Sequence, residues 1–178
     1  MKKFYVYICI ILLPLFGIAQ SYNKTFMGSG GIFGDGYGGE IALNHNLSEL
    51  TFTQIALDVS FDTFQSGEVS VPYSSYTLSY SYFRTVISSA RREKSFSLGG
   101  GALVGYELAN NGNNDLSNIV SLDGESKFIF GGVVTAEIDI IISEHFSAVV
   151  KTAEFYHANS DFGKFTNYSG AGLRYYFN

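Results

Sequence analysis

Cysteine, proline, tryptophan and charge are all scarce in this chain. It contains one cysteine, two prolines and no tryptophan, and only 15% of its 178 residues are charged, against about 25% in an average soluble domain. A hydrophobic fraction of 46% excludes a disordered chain. The mean hydropathy of +0.12 is too low for a protein built from several membrane-spanning helices. The composition therefore fits neither an ordinary soluble surface nor a helical membrane protein.

Glycine and aromatic residues are abundant instead. The chain has 20 glycines, 13 tyrosines and 16 phenylalanines, a composition that favours strands and tight turns over helices. Almost no continuous apolar run follows the first twenty residues, and no proline-rich or serine-rich linker divides the chain. Its length and the lack of a linker indicate a single domain.

The first nineteen residues have the pattern of a secretory signal. Lys2 and Lys3 precede an apolar stretch at residues 4–18, and small residues stand at the expected cleavage positions. The alternative, a membrane anchor, is disfavoured because the stretch is short for a span. We predict a signal peptide at 1–19 and a mature domain at 20–178.

Removal of this segment changes the chemistry available to the chain. Cys9 leaves with it, so the mature chain holds no cysteine, and disulfide or thiolate chemistry is excluded. Loss of Lys2 and Lys3 lowers the formal net charge from −5 to −7. An acidic chain without a basic stripe is not expected to bind nucleic acid directly, and no cofactor is expected.

Large apolar residues occupy every second position along most of the mature chain. The pattern is clear at 54–64 and recurs at 76–82, 96–107 and 128–140. A period of two indicates strands, and no helical periodicity of convincing length competes with it. We predict eight strands, at about 25–33, 40–46, 50–64, 71–86, 94–108, 127–141, 146–157 and 165–177.

The two faces of these strands indicate their surroundings. One face carries large apolar residues, with Tyr and Phe near the strand ends, and the other carries Ser, Thr, Gly, Ala and isolated charges. Small and charged residues suit the interior of a narrow closed barrel, while the apolar face suits lipid. We predict an all-β, eight-stranded antiparallel transmembrane β-barrel of the outer-membrane type, in contact with outer-membrane lipid. The alternative is a soluble lipocalin-like barrel or a sandwich.

The connections provide an independent check. Outer-membrane barrels have short periplasmic turns, longer outer loops and both chain ends in the periplasm. With eight strands, the short connections at 47–49, 87–93 and 142–145 fall on the periplasmic side. The longest connection, at 109–126, falls outside, as do those at 65–70 and 158–164.

The end of the chain resembles the signal that the barrel-assembly machinery reads. Gly172 is followed by Tyr175 and Phe177, with aromatic residues on one face of the last strand. The departure is Asn178, which follows the phenylalanine. An alternative is that the closing strand of any β-protein can end in aromatic residues.

Six charged residues fall on the inward face. They are Asp58, Glu107, Glu137, Asp139, Lys151 and Arg174. Charges inside a narrow lumen must pair, because an unpaired buried charge is strongly destabilising. We predict that Arg174 pairs with at least one of Glu107, Glu137 and Asp58. Such a network indicates a salt-bridged plug rather than a path for protons or ions.

The remaining candidates for chemistry are weak. His45, His145 and His157 lie far apart in strand order, so they predict solvated interface positions and no metal site. The stretch 145–147 with Glu154 resembles the His-x-Ser and Glu of lipid A deacylases. His145 falls at a predicted periplasmic turn, however, and Ala148 stands where that site has Asn. No catalytic residue is predicted.

The second half of the chain resembles a known family. The resembling stretches are 77–83 (TLSYSYF), 99–107 (GGGALVGYE), 128–132 (FIFGG), 143–146 (SEHF) and 169–175 (SGAGLRY). In their order they are similar to the TraO family of conjugal transfer proteins, carried on conjugative transposons of Bacteroidetes. The resemblance covers about 77–178; the first strands match only in pattern.

The resemblance implies an outer-membrane barrel in a conjugative transfer apparatus, with a structural or interaction role and other apparatus proteins as partners. Two alternatives remain open from the sequence. One is a general small outer-membrane barrel for adhesion, stress resistance or membrane integrity, and the other is a lipid-modifying barrel enzyme.

Overall fold

The structure is a computed structural model that describes residues 23–66, 69–91, 93–109, 126–161 and 163–177. The strands are β1 (Lys24–Phe33), β2 (Gly36–Ser48), β3 (Thr51–Ser66), β4 (Val69–Ser88), β5 (Lys94–Ala109), β6 (Lys127–Ile141), β7 (Phe146–His157) and β8 (Phe165–Tyr176). Each strand pairs antiparallel with the next, and β1 pairs with β8, so the sheet closes into a barrel. Closure leaves no sheet edge unpaired. The predicted eight-stranded barrel is confirmed.

The alternation along each strand decides which side chains face outward. Leu78 and Val134 are 49% and 62% exposed, whereas their inward neighbours Ser79 and Thr135 are each 6% exposed. A soluble barrel would bury the large apolar residues in its interior. Here they form the outer surface, which is the arrangement of a barrel that meets hydrocarbon. In the described part of the chain, no helix is long and apolar enough to cross a membrane.

The two rims of the barrel are distinguished by the chain ends. Because the strand number is even, β1 begins and β8 ends at the same rim, here named the termini rim. The turns between β2 and β3, β4 and β5, and β6 and β7 also lie there. The opposite rim, named the far rim, carries the other four connections.

Aromatic pairs mark both ends of the outer surface. At the far rim, three cross-strand pairs have ring centroids 5.0–5.7 Å apart: Tyr37 with Phe61, Tyr106 with Phe128, and Tyr156 with Phe165. At the termini rim, Phe146 lies 5.2 Å from Tyr175. Amphipathic rings in this arrangement are typical of the interfacial girdles of membrane barrels.

The first connection is shorter than the sequence predicts. Strand β2 begins at Gly36 rather than at residue 40, because the glycine-rich stretch 36–39 pairs with β1 instead of forming a loop. The turn is reduced to Gly34 and Asp35, and Gly34 has a φ of 53°, which glycine adopts without steric cost. The predicted signal peptide at 1–19 with Cys9, positions 110–125 of the longest connection, and Asn178 lie outside the described residues.

The interior is not filled only by small and charged residues, so that expectation is wrong. Buried large side chains form an apolar layer in the far half, made of Phe33, Leu103, Val133, Ala153, Phe155 and Tyr168. In the termini half, Phe52 stacks on Phe83 with ring centroids 4.7 Å apart. The Phe83 ring fits because Gly99, which faces it, has no side chain. A Cβ on Gly99 would lie 2.5 Å from Cδ1 of Phe83.

Gly99→Ala tests this fit. The added methyl group overlaps the Phe83 ring, which is held by Phe52, so we expect the free energy of unfolding to fall by about 1–3 kcal/mol. The measurement is urea unfolding in detergent, with the exposed position of Ala102→Val as the control. In a Phe83→Ala background the cost of Gly99→Ala should largely disappear; an equal cost in both backgrounds would contradict the fit.

Candidate functional site

The charged interior of the barrel is the candidate site. All six predicted lumen residues face inward and are buried: Asp58, Glu107, Glu137, Asp139, Lys151 and Arg174. The alternation of side chains along a strand explains this placement. Each of the six residues is separated by an even number of positions from other inward residues of its strand, so it lies on the same face. The structure distributes them over three separate clusters rather than a single network.

The first cluster, named the arginine cluster, lies toward the termini rim. Arg174 donates to Glu137 Oε1 at 2.8 Å and to Asp139 Oδ2 at 2.6 Å. Ser147 Oγ donates to the same Asp139 oxygen at 3.0 Å. The Arg174 guanidinium also lies over the Phe52 ring, 5.7 Å from its centroid. Glu137 is one of the three partners expected for Arg174, and Asp139 is an additional one.

The second cluster, named the lysine cluster, occupies the middle of the lumen. Lys151 Nζ contacts Glu40 Oε2 at 2.5 Å and donates to Gln54 Oε1 at 2.8 Å. Gln54 in turn donates to Asn44 at 2.9 Å, and Asn44 donates to Thr25 at 3.0 Å. A chain of hydrogen bonds thus links β7 to β1, β2 and β3 across the barrel.

Asp58 belongs to this middle level and not to the arginine cluster. It lies opposite Glu40 in the β2–β3 ladder, and it is 1% exposed. Neither of its carboxyl oxygens has a hydrogen-bond partner among the described residues. One lysine therefore serves two buried carboxyl groups, and of the two it is Glu40 that it contacts directly.

Sequence reasoning missed Glu40, Gln54 and Asn44. The predicted β2 begins at residue 40, where a charged side chain is ordinarily solvated. The strand starts four residues earlier, which moves Glu40 into the interior. The available signal was the alternation of Glu40, Ala42 and Asn44 with Ile41 and Leu43.

The third cluster lies at the far rim. Ser160 Oγ contacts both carboxyl oxygens of Glu107, at 2.8 and 3.0 Å. His157 Nδ1 lies 3.8 Å from Glu107 Oε1. Glu107 thus lies at the opposite end of the lumen from the arginine cluster.

His157 corrects the prediction that the histidines are solvated. It is 5% exposed, because it continues the inward phase of β7 that also holds Lys151 and Phe155. His45 is exposed, and His145 is half-buried with its ring 6.1 Å from that of Tyr175. Among the described residues, no group of three or more acidic, histidine or cysteine side chains is placed to hold a metal ion.

The deacylase-like set does not assemble. Ser147 is fully buried inside the barrel and donates to Asp139. Glu154 faces outward on the same strand, because it differs from Ser147 by an odd number of positions. The two residues therefore lie on opposite sides of the sheet.

The lumen is closed by its own side chains. A cavity of about 190 Å³ opens at the termini rim and ends on Phe52, Asp139 and Arg174. At the far rim, the space beside Glu107 and His157 is only about 10 Å³, which is at most the room one water molecule needs. Between them lie the lysine cluster and the apolar layer of the far half. The arrangement suits a plug rather than a pore.

The residues of the predicted assembly signal lie at the termini rim. Tyr175 faces outward and packs between Phe146 and Phe177, with a centroid distance of 5.2 Å to each. Gly172 faces inward, and a Cβ there would meet β1 at Gly28 and Ser29. Recognition of this end by an assembly machinery remains a prediction.

Arg174→Ala tests the arginine cluster. Glu137 and Asp139 would lose their buried cation, so we expect the free energy of unfolding to fall by about 3–5 kcal/mol. The temperature at which the heat-modified gel band appears should fall with it. Arg84→Ala, on the exposed surface, should change stability by no more than about 0.5 kcal/mol. No shift for Arg174→Ala would contradict the ion pairs, and Arg174→Met with Glu137→Gln and Asp139→Asn should recover part of the loss.

The closed lumen predicts no ion conduction. The purified chain in a planar lipid bilayer should leave the current at background, because the ion pairs and the apolar layer fill the barrel. A water-filled porin measured in parallel is the positive control. Discrete single-channel openings of the chain would contradict the plug.

The fold is similar to that of solved outer-membrane proteins. Neisserial surface protein A has a TM-score of 0.60 at 9% identity, covering 86% of this chain and 96% of that one. Ail, the attachment invasion locus protein of Yersinia pestis, has a TM-score of 0.53 at 8% identity, covering 87% and 99%. At these identities the likeness concerns the fold alone. No curated protein matches the sequence.

The sequence matches a family described as conjugative transposon protein TraO over residues 22–177. The match spans the whole barrel. It therefore includes the first strands, for which the sequence alone shows only a similar alternation and no shared motif. The chain therefore belongs to the TraO family of conjugative transposon proteins.

Proposed function

We propose that the chain is an outer-membrane component of a conjugative transfer apparatus, where it acts by anchoring and interaction rather than by catalysis. The observation that carries the proposal is that the family match, at 22–177, and the lipid-facing barrel cover the same residues. The barrel is therefore the part of the chain that the family shares, and its apolar outer surface suits the outer membrane.

The orientation follows from the general architecture of such barrels, which keep both chain ends in the periplasm. The termini rim then faces the periplasm with turns such as those at 49–50 and 142–145, and the far rim faces outside. The signal at 1–19 would export the chain. The aromatic end with Gly172, Tyr175 and Phe177 would direct its insertion by the barrel-assembly machinery.

The interior supports a role without catalysis. Ser147 is inside and donates to Asp139, and the buried cations contact carboxylates on strands that are not their neighbours in the sheet, Lys151 of β7 with Glu40 of β2 and Arg174 of β8 with Glu137 and Asp139 of β6. These contacts fix the barrel and leave little space for a substrate. Function is then carried by the rims and the outer surface, where other proteins of the apparatus can bind.

Deletion of the gene tests the transfer role. A donor without the chain should transfer its element at a strongly reduced frequency, and the wild-type gene supplied in trans should restore it. Outer-membrane integrity, measured by sensitivity to a large antibiotic, should not change. Normal transfer would overturn the proposal, and normal transfer with a leaky membrane would favour a general small barrel.

A further inference from the structure

Four polar residues lie together on the outer surface of β7 and β8, whereas β5 and β6 present apolar side chains and glycine there. Thr152 and Glu154 of β7 stand directly opposite Ser169 and Asn167 of β8. Asn167 Nδ2 donates to Glu154 Oε2 at 3.3 Å, and the hydroxyl oxygens of Thr152 and Ser169 lie 3.2 Å apart. We name this set, Thr152, Glu154, Asn167 and Ser169, the polar ladder.

The polar ladder lies between the two aromatic ends of its strands. The Tyr156–Phe165 pair is one outward step beyond Glu154 and Asn167, and the Phe146–Tyr175 pair closes the other end. Residues between aromatic girdles face the hydrocarbon of the bilayer. The ladder is therefore within the membrane-facing band, nearer the far rim.

Neighbouring strands show how unusual the ladder is. The outward positions of β6 from 128 to 140 are all Phe, Gly, Val, Ala or Ile, and those of β5 from 96 to 106 are Phe, Leu, Gly, Ala, Val or Tyr. A carboxylate facing hydrocarbon is costly, and ionisable groups in membranes generally have a partner or a function. Glu154 receives one long hydrogen bond from Asn167, whereas a carboxylate can accept several.

The surface beside the ladder allows another chain to approach closely. On one side, the outward residues Ala171, Gly30 and Gly39 are aligned across β8, β1 and β2. On the other side, an outward groove of about 440 Å³ runs along the ladder, lined by Leu98, Val134 and Ala136 together with Thr152, Glu154 and Asn167. Small residues let membrane-spanning segments pack with their backbones close together.

A second copy of this chain is a poor occupant. A twofold contact through the ladder would bring Glu154 against Glu154, and like charges repel. The outward strand cations in the described part of the chain, Lys24, Arg84 and Lys94, lie near the termini rim, and the exposed Lys164 lies beyond the Tyr156–Phe165 pair, so none is at the depth of Glu154.

We infer that the polar ladder is a docking surface for a membrane-spanning segment of a different protein, one that presents a lysine, arginine or other hydrogen-bond donor at the depth of Glu154. The carboxylate supplies the charge complement, the amide and hydroxyls supply further hydrogen bonds, and the flanking small residues admit the partner's backbone. The inference rests on the proposed function in one respect, that the partner belongs to the transfer apparatus.

Photocrosslinking in intact donor cells tests the docking surface. The photoreactive residue p-benzoylphenylalanine is placed at position 152 in one strain and at position 78 in another. Leu78 is an exposed outward residue of β4 and serves as the matched control. We expect a protein adduct from 152 whose sequenced peptide is an apolar membrane segment with a cation or donor, and only lipid adducts from 78. A dimer of this chain, equal adducts at both positions, or no protein adduct at 152 would overturn the inference.

Charge reversal then tests the role of Glu154. Glu154→Lys should reduce the adduct from 152 severalfold, and replacing the partner's cation with glutamate should restore it. Heat-modified migration on gels shows whether the variant is folded, and Glu154→Gln provides a milder variant if it is not. An unchanged adduct in both folded variants would contradict the charge complement.

The two proposals fail in different ways. If deletion of the gene leaves transfer normal while position 152 still yields the partner adduct, the docking surface stands and the transfer role falls. If deletion abolishes transfer while position 152 yields no protein adduct, the transfer role stands and the docking surface falls.

Discussion

Closure of the sheet between β1 and β8 is the constraint on which the rest of the structure depends. Hydrocarbon offers no hydrogen-bond partners, so a sheet in a membrane must pair all its strands. Nine pairs of residues join Phe33 to Tyr168 through Thr25 to Tyr176. With eight strands, closure also fixes a narrow interior. The buried ion pairs, the stacked rings and the inward glycines are all consequences of that narrowness.

Much of this architecture could be predicted from the sequence because alternation is a local property. The bounds of β6 and β7 agree to the residue with the prediction, and most others agree within one or two positions. The start of β2 was missed because the glycine-rich stretch 36–39 looks like a turn when its partners on β1 are unknown. A glycine run joins the ladder only because its neighbour lies opposite it, which a single segment does not reveal.

The sequence predicts which face of the sheet each charged residue of the site lies on, but not which charged residues pair. Strand phase places Arg174, Glu137 and Asp139 inside, yet which charges meet depends on how the strands are staggered around the closed barrel. That stagger separates Glu107 from Arg174 and brings Lys151 to Glu40. It also buries His157 beside Glu107, although a histidine at the end of a strand is expected to be solvated. The large interior rings were missed for the same reason, since the glycine that admits each ring can lie on another strand.

The sealed interior has a consequence for the cell that carries the chain. A barrel whose interior is filled by its own side chains leaves the permeability barrier of its membrane unchanged, so each inserted copy adds outer surface without adding a leak. Under the proposed function, the transferred nucleic acid therefore crosses the envelope by a route other than this lumen.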